Sequence, residues 1–155
     1  MVARFCEAWD VPRVDANKLF DDLKRYLWMC AQLDGETVSP IPIVDEMWHT
    51  FLMFTIDYRA WSERCFGRVI EHVPASSRAK RVAAQLARRS PVRARAEAEK
   101  RLAAEVSTVY DLLGERTVRR WYVAHAKRYG PAFFRRRRLP VAVFGMSRRR
   151  AITAA

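Results

Sequence analysis

The chain has 155 residues, half of them apolar and 12% aromatic, and a formal net charge of +12. One domain's length with that much apolar side chain supports a core of its own and excludes an intrinsically disordered chain. No apolar run approaches bilayer-spanning length, and the start, Met1-Val2-Ala3-Arg4-Phe5-Cys6-Glu7, lacks the apolar stretch of a secretory signal, so a cytoplasmic location is expected.

In chain order, Phe5 to Trp9 reads as a helical turn. A first long helix is predicted from Asp15, with Leu19, Phe20, Leu23, Leu27, Cys30 and Ala31 recurring at helical spacing until Asp34-Gly35 stops it. Ser39-Pro40-Ile41-Pro42 must be extended, because each proline lacks an amide donor and pushes its predecessor out of helical geometry. From Val44 the set Val44, Met47, Trp48, Phe51 and Leu52 marks one helical face, and Met53 and Phe54 widen it, so this helix is expected to be central. Thr55 is placed to cap the next helix, in which Tyr58, Trp61 and Cys65 share a face and Gly67 stands where a left-handed cap belongs. Val69 to Pro74 then leaves the helix.

Ser76-Ser77 opens an Ala/Arg-rich helix and Ser90-Pro91 breaks it. A longer helix follows with Leu102, Val106, Val109, Tyr110 and Leu113, ended by Gly114. Thr117 is read as the cap of a last helix carrying Val118, Trp121, Tyr122, His125 and Tyr129, closed by Gly130-Pro131. The expected fold is all-α, an irregular multi-helix bundle over residues 1–131, with an arginine-rich, flexible tail over 132–155. Strand character is confined to Val141 to Phe144.

The three cysteines, Cys6, Cys30 and Cys65, match neither a disulfide framework nor a paired-cysteine zinc knuckle, and are expected as reduced, buried thiols. Histidines are more informative. Asp45 and His49 are four apart, which on a helix stacks a carboxylate and an imidazole on one stripe beside the apolar face. His72 follows the Gly67 cap, where the chain can return to that stripe, and His125 lies on the apolar side of the last helix. Asp45, His49 and His72 are therefore candidate ligands for a divalent metal, with Cys65 and His125 as further candidates. A carboxylate in a first helical turn beside an imidazole also has a plain explanation, the helix dipole and an Asp–His hydrogen bond.

The stretch Val44 to Tyr58, with Asp45, Trp48, His49, Thr55 and Tyr58, followed by Cys65-Phe66-Gly67 and His72-Val73-Pro74, resembles the uncharacterised glycine-rich domain-containing protein-like (GRDP-like) family, over about residues 15–125. The resemblance implies a helical fold and makes Trp48, Thr55, Tyr58 and Gly67 motif positions. It supplies no reaction, and this chain has only five glycines and no glycine-rich extension.

Charge is polarised along the chain. Residues 1–75 hold 8 Lys/Arg against 12 Asp/Glu, a net −4, and residues 76–155 hold 21 against 5, a net +16. Arg135, Arg136, Arg137 and Arg138 and then Arg148, Arg149 and Arg150 form two tail clusters suited to anionic oxygens. With no nucleophile elbow, phosphate loop or dinucleotide fingerprint, the first expectation is a non-enzymatic binding module whose cationic half engages an acidic protein face or nucleic acid. The alternative is a metal-binding protein or metal-dependent enzyme built on Asp45, His49 and His72.

Overall fold

A computed structural model describes residues 1–33 and 38–136. The chain is all-α, with no β-strand among the described residues. Its order is α1 (Val2–Ala8), α2 (Arg13–Gln32), α3 (Pro42–Leu52), α4 (Thr55–Phe66), α5 (Ser77–Arg89), α6 (Pro91–Leu113), α7 (Glu115–Val118), a π-helical stretch (Arg119–His125), α8 (Ala126–Arg128) and α9 (Pro131–Arg136).

The core is organised on α2, whose Ala16, Leu19, Leu23, Tyr26 and Leu27 are buried along one stripe. That stripe meets Ile43, Val44, Met47, Trp48 and Phe51 of α3, so the two most apolar faces of the sequence cover each other. Phe5 and Trp9 from the first helix and its end, and Val109 and Trp121 from the second half of the chain, join the same buried cluster. Phe133 and Phe134 of α9 pack on Trp9 with ring centroids 5.9 and 5.4 Å away, so helical packing runs past Gly130-Pro131 as far as Arg136.

Several local expectations shift. Helix α2 begins at Arg13 after Pro12, placing Asp15 in the first turn, where its charge favours the helix dipole without a capping hydrogen bond. Thr55 is the first residue of α4, not its cap. Thr117 is buried and its hydroxyl donates to the Leu113 carbonyl, because Gly114 at φ 79° turns the chain so tightly that a new helix starts at Glu115. Gly67 does adopt the left-handed conformation, φ 69°, and Ser76 does cap α5 by accepting from the Ala79 amide.

Helices α5 and α6 form a hairpin. No residue of α5 is buried, and Val109 is the one buried residue of α6. The Ala/Arg-rich sequence explains this: α5 carries few large apolar side chains, its alanines and arginines are exposed, and Leu86 alone in it is half-buried. Strand character at Val141 to Phe144 and most of the expected tail fall outside the described residues.

Candidate metal centre

Asp45 and His49 occupy successive turns of α3, on the flank beside buried Val44 and Trp48. His72 reaches them because the segment after α4 is tied back across α3. Gly67 reverses the chain; the Ser62 hydroxyl then donates to the Arg68 carbonyl at 2.9 Å and accepts from the Ile70 amide at 3.0 Å. The Tyr58 hydroxyl donates to the Ile70 carbonyl and accepts from Trp48 Nε1 at 3.2 Å. Three buried side chains, Trp48, Tyr58 and Ser62, thus fix the backbone two residues before His72. Burial pushes the Tyr58 phenol above its usual value, so it stays a neutral donor.

His72 Nε2 lies 3.0 Å from Asp45 Oδ1, and His49 Nδ1 lies 3.9 Å from Asp45 Oδ2. The two imidazole centroids are 4.6 Å apart, and the His72 ring meets the Trp48 indole edge-on at 4.5 Å. One ligand atom from each of Asp45, His49 and His72 falls within 4.8 Å of the others. Exposure is graded across the set: the side chain of His72 is 15% exposed, Asp45 30% and His49 47%. They border a groove of about 900 Å³ that also carries Cys30, Arg68, Glu71 and Lys80.

The remaining candidates are elsewhere. Cys65 is exposed, contrary to the expected buried thiol, because it lies in the last turn of α4 beyond Ser62, the final buried residue of that helix. It is not part of the Asp45–His49–His72 group. His125 Nε2 is 2.8 Å from Asp22 Oδ2, the same oxygen that accepts from Arg120 Nε at 2.8 Å. Asp22 is fully buried, so this second Asp–His contact is a joint between α2 and the π-helical stretch. Arg135 is exposed and Arg136 ends α9; Arg137, Arg138 and Arg148, Arg149 and Arg150 lie outside the described residues.

Residues 7–112, about two thirds of the chain, match the sequence model of the UCP032817-like family. The chain belongs to that family. The family is uncharacterised, and the match replaces the GRDP-like resemblance, to which nothing in the comparisons points. The residues at 44–74 that carry that resemblance have packing roles here: Trp48 and Tyr58 are buried, and Gly67 ends α4 in the left-handed conformation. No curated protein and no solved structure matches the chain. The matched span contains Asp45, His49 and His72 and stops before His125.

The sequence pattern points to Asp45, His49 and His72, which the fold brings together, but not to the residues that support them. Ser62 was not singled out, although a serine four residues after Tyr58 on the buried face of a helix, just before a left-handed glycine, signals a strap to be tied down. Asp22 was also missed, because an aspartate within a run of charged positions resembles a solvent face; only the fold brings Arg120 and His125 to it.

Proposed function

We propose that this protein binds one divalent transition-metal ion through Asp45, His49 and His72, leaving coordination positions open toward the adjoining groove. The observation carrying the proposal is the mutual approach of the three ligand atoms, within 4.8 Å. Ligands about 2.1 Å from one ion lie roughly 3–3.5 Å apart at tetrahedral or octahedral angles. A small rotamer change of His49, the most exposed member, closes the set. Two imidazoles and one carboxylate suit Zn²⁺ or Fe²⁺, and three protein ligands leave room for water or a substrate oxygen. Arg68 and Lys80 beside the groove favour an anionic ligand there, tempered by Glu71.

The test is metal content of gently purified protein by mass spectrometry, with melting curves before and after chelation. Near-stoichiometric zinc or iron, lost in His49→Ala and His72→Ala together with the chelator-sensitive part of the melting temperature, supports the reading. Metal-free protein that gains no stability from added Zn²⁺, Mn²⁺ or Fe²⁺ removes it.

A second reading is favoured by the α5–α6 hairpin. Arg78, Lys80, Arg81, Arg88 and Arg89 project from a helix with no buried residue, so a cationic face is available to an anionic partner such as nucleic acid or an acidic protein, with the arginine-rich C-terminal clusters adding to it. Binding of labelled duplex DNA and of a polyglutamate peptide, measured over a salt series, tests this. A steep loss of affinity with salt, reduced in Arg88→Ala/Arg89→Ala, is expected; affinity that is flat in salt contradicts it.

A further inference from the structure

A second cavity lies across the Ser39–Pro42 segment from the groove, between the entry to α3, the middle of α6 and the π-helical stretch. Its volume is about 340 Å³, within the roughly 300–1,000 Å³ range of small-molecule sites. Pro40, Ile41, Ile43 and Leu102 give it apolar walls.

Its polar groups are few. Trp121 and Tyr122 both line it, Trp121 is 2% exposed, and among the described residues neither the indole Nε1 nor the phenol oxygen has a hydrogen-bond partner. A buried donor left without a partner costs free energy comparable to the bond it lacks, so two adjacent ones at a single cavity call for an acceptor from outside the fold. Tyr122 keeps its proton as a donor: burial, with Glu105 adding to it, pushes its pKa up to about 12. The backbone that presents both residues is π-helical, a wide turn found frequently at functional sites.

The sign of the ligand follows from its neighbours. Glu105 lines the cavity, so a carboxylate placed there meets a like charge. Arg120 of the π-helical stretch and the cavity-lining His125 are both committed to Asp22. We infer that this cavity binds a small, uncharged, largely apolar molecule through a carbonyl-type oxygen that accepts from Trp121 Nε1–H and the Tyr122 hydroxyl. The site is separate from the proposed metal centre and does not depend on it.

The experiment uses the full chain, isotope-labelled for indole N–H detection by NMR, with acetanilide and cyclohexanone as uncharged carbonyl probes. Benzoate serves as the anionic control and ethylbenzene as the control without an acceptor. Saturable binding of at least one carbonyl probe is expected, with movement of the Trp121 indole resonance, affinity roughly ten-fold lower in Tyr122→Phe, and benzoate and ethylbenzene both weaker. Tyr122→Phe keeps the ring and its packing, and its melting curve shows independently that the fold survives. The inference is overturned if neither carbonyl probe saturates at millimolar concentration, if the Trp121 indole does not move, if Tyr122→Phe binds as tightly as the parent, or if ethylbenzene binds as well as the carbonyl probes. A chelator leaves the expected result unchanged, so the outcome reads separately from that of the metal test.

Discussion

Two Asp–His contacts in this molecule use the same chemistry to opposite ends. At Asp22 the carboxylate is fully buried and one of its oxygens takes both Arg120 and His125, which welds α2 to the π-helical stretch. At Asp45 the carboxylate is part-exposed, and among the described residues its ion-pair partners are two imidazoles, His49 and His72. Arg120 neutralises the first carboxylate through one oxygen, and Arg25 lies 4.0 Å from the other, so guanidiniums flank it on both sides. The second is flanked by two imidazoles on the edge of a groove, the arrangement on which the proposed metal site rests. Burial and the identity of the third partner, not the Asp–His pair itself, separate the joint from the proposed ligand set.

Breaking the joint gives the largest effect. Asp22→Ala leaves His125 and Arg120 without their acceptor beneath the surface, and is expected to cost about 3 kcal/mol in chemical denaturation, with the proposed metal site of refolded protein unaffected. Loss of metal binding at equal severity would show that the two regions are not independent.

The next effect sharpens the other side of the comparison. His49→Ala changes a half-exposed side chain, so the metal-free protein should move by no more than about 0.5 kcal/mol. Metal-loaded parent protein at a hundred-fold excess over Kd should gain about 2.7 kcal/mol, and the variant should lose that gain. Thermal melts with and without Zn²⁺ measure both.

Buried phenols stand on both sides. Burial raises Tyr26 and Tyr58 near the groove and Tyr129 beside His125, and takes Tyr122 to about 12. A raised folded value means that the neutral phenol is favoured in the fold. Stability is therefore held below the ordinary tyrosine value near 10 and is lost as pH climbs from there toward the folded values. Melting temperature followed from neutral to alkaline pH should fall beyond about pH 10, and a flat profile there would contradict the burial of these rings. The smallest effect belongs to the hairpin: Glu97→Ala removes the exposed Arg93–Glu97 pair, 3.0 Å apart, and should cost less than about 0.5 kcal/mol in the same melts.

Much of this was readable from residues alone. The helical period of Leu19, Leu23 and Leu27, and of Val44, Met47, Trp48 and Phe51, announced the two faces that make the core, and Gly67 announced the reversal that returns His72. The Asp45–His49 pair was legible because both residues lie on one helix, where spacing is geometry. His72 could only be suggested, since its position depends on Ser62 and Tyr58 holding the strap. The Asp22–Arg120–His125 joint was illegible, as its members are about a hundred residues apart and no local period links them. The π-helical turn was equally hidden, because Trp121, Tyr122 and His125 fit an ordinary helical face as well as a widened one.

The most direct test of the central claim is a calorimetric titration of chelator-stripped protein with Zn²⁺, run beside Asp45→Ala and His72→Ala. One equivalent of zinc binding to the parent, and weakened at least ten-fold in each variant, is the predicted result. Parent and variants that take up zinc equally, or a parent that takes up none, would contradict it.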